Sequence, residues 1–164
     1  MDVVRNVVES LRGTLLIEST LGRGSRFTVR LPLTLAVVAV LLLEIGGERY
    51  ALPVSSVQQL LEVQRHEIQR SQGQELLPRD GILIPVLRLG RILGSPEGIA
   101  GTTDLLVMCE RRGRLVGLAV DGVVGYGEVV VKSLGKVLKG LRGFAGVTIL
   151  GDGSTVLILD VNTL

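Results

Sequence analysis

Cys109 is the only thiol in this 164-residue chain and His66 the only imidazole, so a cysteine–histidine nucleophile–base pair would have to unite these two. Cys109 closes an apolar run, Leu105 to Cys109. That is the setting of an inert buried thiol, because a reactive one needs an electropositive, accessible environment. His66 stands in a polar stretch with Glu67 and Arg70 and reads as a solvated surface side chain. One Cys and one His supply no credible metal-ligand set, so neither a metal nor a cofactor is expected. Asp121, Glu128, Asp152 and Asp160 fall at predicted strand ends or turns, where a carboxylate serves as a solvated cap rather than as half of an acid/base pair.

The remaining candidate for chemistry is Gly22-Arg23-Gly24-Ser25. Glycines let backbone N–H groups approach a phosphate, and they equally serve a hairpin turn by tolerating positive φ. A strand rather than a helix N-terminus follows this stretch, which favours the turn. The formal net charge is only +2, and the arginines are scattered without interleaved aromatic residues, so nucleic acid is not an expected partner. Residues 31–43 are apolar except for Thr34, but a bilayer needs about 20 such residues. A buried strand is the better reading. Asp2, Arg5 and Glu9 interrupt any signal-peptide core, and the chain is expected to be cytoplasmic and not membrane-embedded.

The elements that must position these residues follow from periodicity. Val3, Val4, Val7, Val8 and Leu11 make one helical stripe over 2–12, and a hairpin follows with strands at 14–19 and 26–31. From Thr34 onward, short strands alternate with Gly-containing turns, the pattern of an all-β barrel or sandwich. Strands are predicted at about 36–46, 48–52, 59–63, 74–77, 82–87, 104–111, 114–121, 123–132, 143–150 and 154–160, with a short helix at 89–93. The Gly/Pro/Thr-rich loop at 94–103 is the predicted internal boundary between two halves of five strands. Val37 to Leu43 is apolar on both faces of its strand, so both faces should be covered.

Five segments carry a family resemblance: GGERYALPVSSV at 46–57, ILIPVLRLGRILG at 82–94, VGLAVDGVVGYGEVVVKSLG at 116–135, FAGVTILGDGSTVLILDV at 144–161, and the opening residues 1–36. The first four resemble the CheW-like regulatory domain at the C-terminus of the chemotaxis histidine kinase CheA. Residues 1–36 resemble the end of that kinase's GHKL-type ATP-binding domain. The resemblance implies a mainly β fold of two five-stranded barrels sharing a core over 34–164, preceded by a truncated α+β remnant of the ATPase domain over 1–33. In that register Gly22, Gly24 and Ser25 correspond to the last Gly-rich box of the nucleotide site. The Asn box, the adenine Asp, the ATP lid and the phosphoacceptor His are expected to lie outside the chain. A non-catalytic coupling module is therefore expected; the alternative is a piece of an ATP-dependent phosphorelay kinase, active only within its full-length parent.

The implied partners are a CheW-type adaptor and the cytoplasmic tip of a chemoreceptor, with recruitment to membrane receptor arrays. Barrel-to-barrel pairing needs aliphatic side chains facing solvent beside a strand edge. Val40, Leu41 and Leu42 are the predicted adaptor contacts, and the second barrel or the ATPase remnant is the competing cover for that face. Adaptors of the family carry Arg-Gly before the Ile-x-Pro strand; here the pair is Asp80-Gly81 after Arg79, and Arg79 and Asp80 are the predicted receptor contacts.

Overall fold

The computed structural model describes residues 4–5, 7–8, 14–20, 22, 24–30, 37–95, 101–132 and 142–164. The chain divides into two compact units, residues 1–36 and 37–164. In the first, Val4, Arg5, Val7 and Val8 are helical, while the rest of the predicted 2–12 helix lies outside the described residues. Strands β1 (Thr14–Thr20) and β2 (Gly24–Arg30) pair antiparallel around a turn, with Thr20 opposite Gly24.

The second unit is mainly β. Its strands are β3 (Val37–Ile45), β4 (Glu48–Pro53), β5 (Val57–Gln64), β6 (Gln69–Ser71), β7 (Gln74–Arg79), β8 (Ile82–Arg88), β9 (Thr103–Arg111), β10 (Arg114–Val120), β11 (Gly122–Val130), β12 (Phe144–Ile149) and β13 (Thr155–Leu159). Each of the ten predicted strands appears near its expected position. The eleventh, β6, was not foreseen, because Gln69, Arg70 and Ser71 are all exposed and carry no apolar alternation. Tight turns set the local register. At Gly46-Gly47 and Asp80-Gly81 both turn residues have positive φ, as two-residue hairpins with right-handed strand twist require.

Two sheets result, ordered β5-β9-β10-β8-β7-β6 and β11-β3-β4-β13-β12. This corrects two expectations. One sheet has six strands rather than five, and the 94–103 loop does not separate the halves. Strands β5, β7 and β8 before that loop join β9 and β10 after it, while β3 and β4 join β11 to β13. The chain changes sheets elsewhere: at the 3₁₀ turn Val54–Ser56, and at Asp121, the single residue between β10 and β11. A Gly/Pro-rich composition marks a loop but says nothing of which strands pair across it.

The core has three parts. Val63, Leu77, Ile84, Val86, Leu106 and Met108 fill one face of the six-stranded sheet. Val40, Ala51, Val129, Val156 and Ile158 fill one face of the five-stranded sheet. Between the sheets lies a shared cluster, in which Leu41, Leu43 and Ile45 of β3 meet Val107 and Cys109 of β9 and Val116 and Leu118 of β10. The two edges of the five-stranded sheet are joined just beyond β11. There Lys132 and Val147 exchange both backbone hydrogen bonds, at 2.9 and 3.0 Å.

Candidate functional site

The most elaborate polar arrangement among the described residues was not foreseen. Glu75 on β7 and Asp104 on β9 are buried, with side chains 8% and 7% exposed, and Arg88 at the end of β8 bridges them. Arg88 Nε donates to Glu75 Oε2 at 2.6 Å, and its Nη1 and Nη2 donate to Asp104 Oδ1 and Oδ2 at 3.2 and 2.8 Å. Arg65 Nε donates to the same Asp104 Oδ1 at 3.0 Å. Arg70 donates to Glu75 Oε1 through Nε and Nη2, at 3.1 and 2.8 Å. Both carboxylates thus accept several charge-assisted bonds, the condition under which buried charge is tolerated.

The electrostatics follow from these contacts. The hydrogen bond to Asp104 leads in raising the Arg88 pKa above its ordinary value, against the desolvation that would lower it. Burial pushes Asp104 up, but the hydrogen bonds and charges of Arg88 and Arg65 outweigh it and hold the carboxyl below the usual range. The network lines an open cleft of about 990 Å³. Glu44, Gly46, Gly47 and Asp121 form its other wall.

Residues singled out for nucleophilic chemistry do not assemble. Cys109 is buried in the shared core, and desolvation pushes its thiol up to about 12. His66 is exposed on the 3₁₀ turn Arg65–Glu67. Three of the four acids cap turns: Asp121 accepts the Gly46 N–H at 2.5 Å, Asp152 the Ser154 N–H at 2.9 Å, and Asp160 the Asn162 N–H at 3.0 Å. Glu128 instead points outward from within β11. Gly22 and Gly24 have φ of 77° and 99° in the β1–β2 turn, and the hydroxyls of Ser25 and Ser19 are hydrogen-bonded at 2.8 Å.

The predicted adaptor contacts require correction. Val40 is buried within the five-stranded sheet's own cluster, and Leu41 in the core shared with the six-stranded sheet. Leu42 is half-buried on the Val40 side. Alternation sends successive β3 side chains to opposite faces, and the chain's own packing covers both. The aliphatic edge lies next to these residues. Tyr126, 66% exposed, stands opposite Leu41 on the edge strand β11, and Val37, 56% exposed, lies further along the same face of β3. Arg79 and Asp80 are exposed at the tip of the β7–β8 hairpin, where the neighbouring Ile82 and Leu83 are exposed as well.

Residues 39–164 match the CheW-like domain. The chain belongs to the CheW-like domain family. Its sheets are also similar to those of the scaffolding protein TtCheW from Thermoanaerobacter tengcongensis, with a TM-score of 0.65 over 76% of this chain and 90% of that one, at 17% identity. Over its whole length the chain is 38% identical to the chemotaxis protein CheA of Halobacterium salinarum and 35% identical to CheA of Bacillus subtilis. It is 36% identical to the sensor histidine kinase CheAY of Helicobacter pylori. It spans 24%, 25% and 20% of these relatives. The similarity to CheA includes the first unit, which the CheW-like match does not reach. Among the described residues no helix is long and apolar enough to cross a membrane.

Proposed function

We propose that this chain is a non-catalytic coupling module of chemotaxis signalling, which joins a CheA-type histidine kinase to a CheW-type adaptor. The observation that carries this reading is the pairing of a CheW-like fold with whole-length similarity to CheA proteins. In it, residues 1–33 are the end of an ATP-binding domain, with Gly22, Gly24 and Ser25 its last Gly-rich box, and 34–164 are the CheW-like part. Catalysis belongs to the longer kinase, which works in the cytoplasm and is recruited to receptor arrays.

The adaptor contact is the apolar surface formed by the edge strand β11 and the start of β3, centred on Tyr126 and Val37, while Leu42 faces the other side of the sheet. A large aromatic side chain on the edge strand β11 beside an exposed aliphatic one on β3 suits the barrel-to-barrel docking of the resemblance. Arg79 and Asp80, flanked by exposed Ile82 and Leu83, are the contact for a receptor tip. Calorimetry of the chain with a CheW-type adaptor tests the main claim. Saturable binding is expected, weakened at least about tenfold by Tyr126→Asp with no change in unfolding midpoint, as for an interface anchor. No binding by a folded sample would end the proposal.

A further inference from the structure

The five-stranded sheet joins its edges by a backbone rung, whereas the six-stranded sheet joins its own through a short connecting segment. Its edge strands, β5 and β6, follow one another in sequence and lie at opposite ends of the strand order. Residues 65–71, comprising the 3₁₀ turn Arg65–Glu67, Ile68 and β6, run from one edge to the other. None of these seven side chains is buried, and Ile68 alone is half-buried, packed on the cluster of Val63 and Leu77. A segment with so few buried apolar contacts opens at low free energy unless something else holds it. Charged side chains supply that hold. Arg65 at one end donates to Asp104 and Arg70 at the other to Glu75, two buried carboxylates that Arg88 bridges. The backbone adds a bond from the Arg65 N–H to the Thr102 carbonyl at 2.8 Å and the pairing of Gln69, Arg70 and Ser71 with β7.

We propose that residues 65–71 are a strap, latched by these two arginine–carboxylate contacts, which releases as one unit while both sheets stay folded. Unit behaviour follows from the shared anchor. Asp104 Oδ1 accepts from both Arg65 and Arg88, and Arg88 donates in turn to Glu75, so the two latches belong to one chain of charges. Groups within one such network are energetically coupled. Release also strands no buried charge, because Arg88 stays bonded to both carboxylates when Arg65 and Arg70 leave. Opening the strap therefore costs less than opening the sheet. Arg65, Ile68 and Arg70 line the cleft, so release widens it and uncovers the side of the cluster on which Ile68 packs. One wall of the cleft is thus a movable element.

Native-state hydrogen exchange of the full chain at low denaturant tests this. In the wild type, the amides of Arg65 and Ile68 and those of β6 bonded to β7 should exchange through one opening. Their common denaturant slope should be smaller than that of Val107 and Leu118 on the interior strands β9 and β10, since less surface is exposed. Arg65→Gln should speed exchange across β6 as well as at Arg65, and Arg70→Gln at Arg65 as well as across β6. Each effect should be about tenfold, as loss of a charge-assisted hydrogen bond gives. Val116→Ala, a cavity in the shared core, should speed exchange at Val107 and Leu118 at least about tenfold and leave the strap amides unchanged. The wild-type slopes decide the question by themselves if a variant fails to fold. Strap amides that share the slope of Val107, that follow it in Val116→Ala, or that respond only at the end carrying the substituted arginine would each overturn the proposal.

Discussion

Arg88 links two buried carboxylates, so its removal leaves both short of their strongest partner. Loss of one partner from a buried ion pair costs about 3–5 kcal/mol, and Arg88 is 21% exposed, which argues for the lower end. Arg88→Met is expected to destabilise the protein by about 3 kcal/mol in urea unfolding, with Arg88→Lys between it and wild type because lysine keeps the charge but not the fork. The same network makes a pH prediction. The folded pKa of Asp104 is depressed, so its contribution is complete above the unfolded carboxylate value of about 3.9 and is lost as pH falls through that value to the folded one. The stability gap between wild type and Asp104→Asn should therefore be full at neutral pH and close progressively in acid, as chemical denaturation across pH would show.

At the level of elements, the junction of the five-stranded sheet's two edges rests on Gly146. A Cβ there would lie 2.8 Å from the Lys132 carbonyl oxygen and 2.9 Å from a Val131 methyl. The backbone cannot yield cheaply at the rung where Lys132 and Val147 exchange hydrogen bonds. Gly146→Ala is expected to cost about 1–3 kcal/mol, as overpacking does, and to speed hydrogen exchange at the Lys132 and Val147 amides more than elsewhere. The short polar strand β6 has a different role. It covers one edge of the six-stranded sheet with exposed Gln69, Arg70 and Ser71, an edge without the apolar residues that invite another chain. On the five-stranded sheet, the edge strand β11 instead exposes Tyr126, where the proposed adaptor contact lies.

On the scale of the whole molecule, the shared core makes the two sheets depend on each other. Leu41 contacts a cluster built from both, so Leu41→Asp is expected to unfold the β region in one transition rather than to block a partner. Loss of the circular-dichroism and tryptophan-independent near-ultraviolet signals at a single lowered midpoint would show it; a folded variant deficient only in adaptor binding would contradict it. What the amino-acid order determined by itself was local and periodic: the predicted strands, the Gly-containing turns between them, and the need to cover both faces of Val37 to Leu43. The segments quoted for the family also sufficed to place the chain in it. Tertiary structure alone decided which strands share a sheet, which apolar faces are covered, and that Glu75, Arg88 and Asp104 meet. Period-two alternation assigns a side chain to one of two faces without saying what lies opposite it. The β7–β8 hairpin sets Glu75 beside the end of β8, 13 residues from Arg88, but Asp104, 16 residues on, joins them only through the parallel pairing of β8 with β10, which pairs with β9.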